Sequence, residues 1–167
     1  MGMMIELASP AATNPLDFVE AFIDANEWAS ERTDDDELAV AIAGKWCDFN
    51  VWISWRQEIG GLHFACVFGN KFPKEKQKDL HSLLVLANEQ LSIGHFDLWG
   101  DENMLLFRHA LLLGRDGELE LDQLETLFEI AFSECERFYP AIQLVLWGGQ
   151  SAEEAAAAAL MECVGEA

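Results

Sequence analysis

Four histidines, four cysteines and 30 carboxylates are the residues best able to do acid–base, nucleophilic or metal chemistry in this chain. Their spacing argues against most of it. His63 and Cys66 come nearest to a ligand pair, but residues three apart on a strand point to opposite faces and cannot converge on one metal. His81 sits on an expected helix with no cysteine or carboxylate at helical spacing. His109 falls on the core side of its expected strand, where a satisfied buried histidine is the ordinary outcome. Cys47, Cys66, Cys135 and Cys163 are far apart, form no C-x-x-C pair and lie among apolar neighbours, as buried free thiols in a reducing compartment do. The chain contains no G-x-S-x-G and no phosphate-cradling glycine pattern, and Gly60-Gly61 and Gly148-Gly149 read as a turn and a helix stop. The acidic run at Asp34 lacks the glycine and the closing glutamate of a calcium loop. No catalytic residue, metal or cofactor is expected, and the chain reads as a non-enzyme.

One constellation stands above this background. Strand alternation places Trp46, Trp52, Trp99, Met104, Leu106 and Leu112 on one sheet face with Arg56, His63, His95, Asp97 and Arg108. That is too apolar for open water. Either a tail helix or loop covers the face, or it is a subunit or partner interface, for which Trp, Met and Arg are the enriched types. Trp46, Trp52, Trp99, Met104 and Arg108 are the candidate interface residues. His95, Asp97 and Arg108 are also readable as a buried structural ion pair, or as a small-molecule-binding or hydrolytic site.

The elements that must position these residues follow from capping and periodicity. Asn14 can cap a helix whose first position suits Pro15, and Leu16, Val19, Phe22 and Ile23 make its apolar stripe to about Asn26. A strand near Trp28 to Thr33 and an acidic turn lead to Leu38–Ala43. There Leu38, Val40 and Ile42 share one face and three alanines the other, which lets something pack close or leaves a smooth surface. Trp46 to Arg56 and Leu62 to Phe68 make a hairpin whose loop pairs Trp55 with Leu62, Ile53 with Phe64 and Val51 with Cys66. A helix from Pro73 to about Gly94 carries Leu80, Leu83, Leu84, Ala87 and Leu91 on one side. A second hairpin, His95 to Trp99 and Met104 to Leu113, pairs Leu98 with Leu105, Phe96 with Phe107 and His95 with Arg108. A long helix from Leu121 should be kinked or divided at Pro140 and end at Trp147-Gly148-Gly149. Ser151-x-x-Glu154 is a capping box that opens an alanine-rich helix to about Val164.

The order is therefore α-β-β-β-β-α-β-β-α-α. It is an α+β fold with an antiparallel sheet of about five to six strands and helices mainly on one face. One domain over residues 14–167 is expected, with 1–13 a flexible segment and 150–167 a tail helix. The length of 167 residues suits one core, and 51% hydrophobic content excludes a disordered acidic tail.

Charge limits the partners. A net charge of −20 with no lysine after Lys78 repels nucleic acid and anionic bilayers alike. The first fifteen residues lack a basic and then apolar leader pattern, and no uninterrupted apolar run approaches about 18 residues, so a cytoplasmic setting is expected.

Taken together, several segments resemble the YbjN-like family, whose members are labelled putative bacterial sensory transduction regulators. The resemblance runs through Asn14-Pro15-Leu16-Asp17, Asp35-Asp36-Glu37-Leu38, Trp46-Cys47-Asp48-Phe49 and Gly94-His95-Phe96-Asp97-Leu98-Trp99. It continues in Arg108 to Leu113, Glu136 to Ala141 and Leu146-Trp147-Gly148-Gly149. It implies a fold similar to type III secretion chaperones, which are small acidic proteins that commonly dimerise and hold partner polypeptides, and it implies no catalytic residues. The helix after Gly149 departs from those chaperones. The resulting expectation is a non-enzymatic regulator or chaperone-like adaptor, a homodimer that binds a protein or peptide client through apolar patches in an acidic surface.

Overall fold

The computed structural model describes residues 14–114 and 116–162. Helix α1 (Pro15–Ala25) begins where the Asn14 side chain accepts the Leu16 N–H at 2.9 Å, with Pro15 in the first turn. Its buried Leu16, Val19 and Ile23 lie against the sheet, and Arg32 clamps its outer side to Asp17 and Glu20. Strands β1 (Ala29–Asp34), β2 (Glu37–Ala43), β3 (Asp48–Arg56) and β4 (Gly61–Phe68) form a meander. A single 3-10 turn (Lys74–Lys76) leads into α2 (Gln77–Asn88), followed by β5 (His95–Trp99), β6 (Met104–Leu112), α3 (Leu121–Leu146) and α4 (Ala152–Glu162).

All six strands join one antiparallel sheet in the order β1-β2-β3-β4-β6-β5. The element order and α+β class agree with the expectation from the sequence, and both hairpin registers do so residue for residue. Trp55 pairs with Leu62, Ile53 with Phe64 and Val51 with Cys66. Phe96 pairs with Phe107, Leu98 with Leu105 and His95 with Arg108. Gly94, in the left-handed region at φ +70°, makes the turn into β5, and a methyl group there would collide with the Phe107 ring.

The helices cover one sheet face. Alternate strand residues from Leu38 to Phe107 meet them in one apolar core, in which Phe128 of α3 lies on Phe64 at 5.2 Å and Phe138 on Phe96 at 5.4 Å. The expected capping box holds, with the Ser151 N–H donating to Glu154 Oε2 at 3.0 Å and the Glu154 N–H to Ser151 Oγ at 3.2 Å. Helix α4 buries Ala152, Ala155, Ala156 and Ala159 and packs on α2 and α3.

Four expectations change. Trp28 precedes β1 and stacks on Phe128 at 5.4 Å, since burial of an indole outweighs a strand position. β3 starts at Asp48, because Gly44 to Cys47 form a bend closed by the Gly44 N–H on the Cys47 carbonyl at 3.1 Å. α2 ends at Asn88, whose side-chain amide bonds both the N–H and the C=O of Phe96 and so starts β5 instead of prolonging the helix. Pro140 does not divide α3, which runs unbroken to Leu146 with its apolar stripe held by the core. The expected flexible segment 1–13, Cys163 and the last turn to Val164 lie outside the described residues.

Candidate functional site

Sheet pairing assigns the side chains of the face opposite the helices. One row across the strands reads Glu31, Ala39, Trp52, Ala65, Arg108, His95. The next reads Glu37, Ser54, His63, Ala110. The small Ala39, Ala65 and Ala110 alternate with larger side chains along these rows, and the space above them is a recess of about 810 Å³ open to the surface. Arg56 and Trp99 complete its walls. The alternating alanines of β2 were the signal for only one edge of it, Ala39, since Ala65 and Ala110 come from β4 and β6. Glu37 and Ser54 carried none of their own, because their role depends on which strand lies next to which.

Beside the recess the face has an apolar floor of its own. Val67 and Leu106 pair with each other across β4 and β6 and are 9% and 0% exposed, yet neither belongs to the helix-side core. Trp52 and Trp99 stand on strands that lie about 14 Å apart at the usual spacing, with β4 and β6 between them, and Trp99 is four residues out of Trp52's row. Their ring centroids are nevertheless 6.1 Å apart, so the indoles lean together across the intervening residues and roof them.

The polar trio is only partly assembled. Arg108 Nη1 donates to Asp97 Oδ2 at 3.1 Å, and Asp97 Oδ1 accepts the Leu98 N–H at 2.9 Å. Contrary to the expectation from the sequence, the pair is not buried: both side chains are about two-fifths exposed, so it contributes at most about 1 kcal/mol and serves mainly to aim the guanidinium. His95 stands opposite Arg108 but bonds to neither partner among the described residues. Ser54 lies between Glu37 and His63 with no hydrogen bond among the described residues to activate it, so the row lacks the linked nucleophile and base of a hydrolase.

Other candidate residues are dispersed. Trp46 lies in the bend before β3, half exposed beside the Lys45 ammonium at 5.0 Å. The Lys45 N–H donates to Glu136 of α3 at 2.6 Å, so this segment is tied to the helix side and Trp46 does not join Trp52. Met104 pairs with Trp99 at the margin, and Leu112 is 80% exposed at the far end of β6. His63 and Cys66 point to opposite faces, as their spacing requires. His109 is on the helix side but only half-buried and has no hydrogen-bond partner among the described residues. Burial, then the charge of His95, lowers its imidazole below 6.5. The tail helix does not cover the open face, since its buried alanines meet α2 and α3.

No described helix is long and apolar enough to cross a membrane. Residues 15–144 match the family model YbjN, described as "Putative bacterial sensory transduction regulator". No curated protein and no solved structure matches the chain, so the likeness to type III secretion chaperones rests on the sequence resemblance alone.

Proposed function

The chain belongs to the YbjN family, and from that premise we propose that it is a regulator that acts by binding and not by catalysis, with the open sheet face as its contact surface. The observation that carries this reading is the face itself: two exposed or half-exposed indoles and an aimed guanidinium around a recess, with no described helix over them. Aromatic and arginine side chains around a desolvated centre are the usual anchors of a protein interface. The occupant on this reading is a polypeptide, either a second copy of the chain or a client segment. Trp52, Trp99, Met104 and Arg108 make the contact, and Trp46 offers a separate exposed ring. The surrounding charge of −20 keeps the cytoplasmic protein dispersed and favours basic or neutral clients at the rim, in the manner of a chaperone-like adaptor.

Light scattering on a size-exclusion column tests this, with the wild type compared with Trp52→Ala and Trp99→Ala. A dimer mass that falls towards the monomer, with loss of client capture, supports it. An unchanged particle with undiminished capture overturns it.

A second reading, a small-molecule site, is favoured by the recess, whose volume lies in the range of about 300–1,000 Å³ usual for such sites.

A further inference from the structure

We propose that the recess binds a small aromatic carboxylate, its ring laid over Ala65 against Trp52 and its anionic end on Arg108. This rests on the recess being a binding site, the second reading above; the ligand and a polypeptide would share Trp52 and Arg108, and the two experiments report on them separately. The geometry supplies the length. Trp52 and Arg108 both pair with Ala65 from opposite sides, so two strand steps, about 10 Å, separate their backbones, and the Ala65 methyl is the floor between them. A bicyclic carboxylate spans that distance.

Charge supplies the sign. Acidic residues outnumber basic ones 30 to 10 in the chain, but the recess is lined by Arg56 and Arg108 against a single carboxylate, Glu37. Arg56 is exposed and has no carboxylate partner among the described residues. Arg108 spends only Nη1 on Asp97, and its other N–H donors have no partner among the described residues. Asp97 has both oxygens engaged, so it orients Arg108 without closing off the remaining donors. An anion completes this arrangement, and an organic cation would meet the Arg108 guanidinium at that end. The long-range repulsion of a −20 protein is screened beyond about 8 Å at physiological salt, which a small monoanion tolerates better than a polyanionic chain does.

The test is titration of the full chain with 2-naphthoate and its neutral isostere 2-naphthamide, followed by Trp emission and calorimetry. Saturable one-to-one binding of the carboxylate, at least about tenfold tighter than the amide, is expected. Arg108→Gln removes that preference and leaves the amide unchanged. Ala65→Leu, a solvent-face substitution in β4, blocks both compounds, and circular dichroism checks that each variant folds. Equal affinity for acid and amide, no saturable binding of either, or wild-type titration by both variants overturns the proposal. So does an octapeptide ending in a Trp carboxylate that binds tighter than 2-naphthoate. Failure here leaves the light-scattering result standing, and failure there leaves this titration standing.

Discussion

Cys135 illustrates how single residues take their chemistry from their place. Burial, and then a hydrogen bond with Cys66, pushes its thiol well above the ordinary 9.0, and Cys66 is itself fully buried. Cys47, at the edge of the core, is raised too, first by burial and less by Cys66 and its acidic neighbours. In native protein at pH 8, Cys66 and Cys135 should resist an aromatic disulfide reagent that labels them at once in guanidinium; rapid native labelling would show that the core opens. A thiol whose folded pKa is raised gives stability that is fully present below 9.0 and is lost as pH rises above it, so denaturant midpoints should fall on the alkaline side. Leu106 makes the matching case on the open face. Leu106→Ala should cost about 2–4 kcal/mol in urea unfolding, as much as a helix-side leucine, because the Trp52–Trp99 roof leaves the side chain no access to water. A cost below about 1 kcal/mol would mean that the roof opens in solution.

Elements were legible in the sequence wherever two local signals agreed. The β3–β4 and β5–β6 registers came out correctly because loop length and apolar alternation pointed to the same pairing. The misreadings sit where a long-range contact overrode a local one: Asn88 capping Phe96, Glu136 holding Lys45, Trp28 stacking on Phe128. The candidate site was half legible for the same reason. Trp52, Trp99, Arg108 and Asp97 follow from alternation within strands, whereas the recess needs β4 beside β6, a neighbour pairing that skips β5. The place of α4 was open too, since an alanine helix has no stripe strong enough to choose a partner. Its alanines now explain the choice: small side chains let it sit close on α2 and α3. Ala155→Asp should therefore cost about 3 kcal/mol or more, by placing an unpaired carboxylate in that seam, with the naphthoate titration unaffected in the folded fraction. A loss of less than about 1 kcal/mol would detach α4 from the core.

At the scale of the molecule, one layer of helices and one sheet leave the two sides unequal: one buried in phenylalanines, the other exposing a recess. The same chain carries −20 charges, and their mutual repulsion opposes compaction. Salt screens it, so the thermal midpoint should rise between 10 mM and 500 mM sodium chloride, on the order of the two concentrations that bracket the usual Debye range. A flat or falling midpoint would mean that local ion pairs such as Arg32 with Asp17 and Glu20 outweigh the collective term. The leaning indoles of the open side give the molecule an optical property as well. With centroids 6.1 Å apart and planes 34° from parallel, the excited states of Trp52 and Trp99 mix. Their ultraviolet dichroism should split into a couplet of opposite lobes, which vanishes when either ring is replaced by phenylalanine and changes shape when something wedges between them. The protein therefore carries its own unlabelled gauge of occupancy.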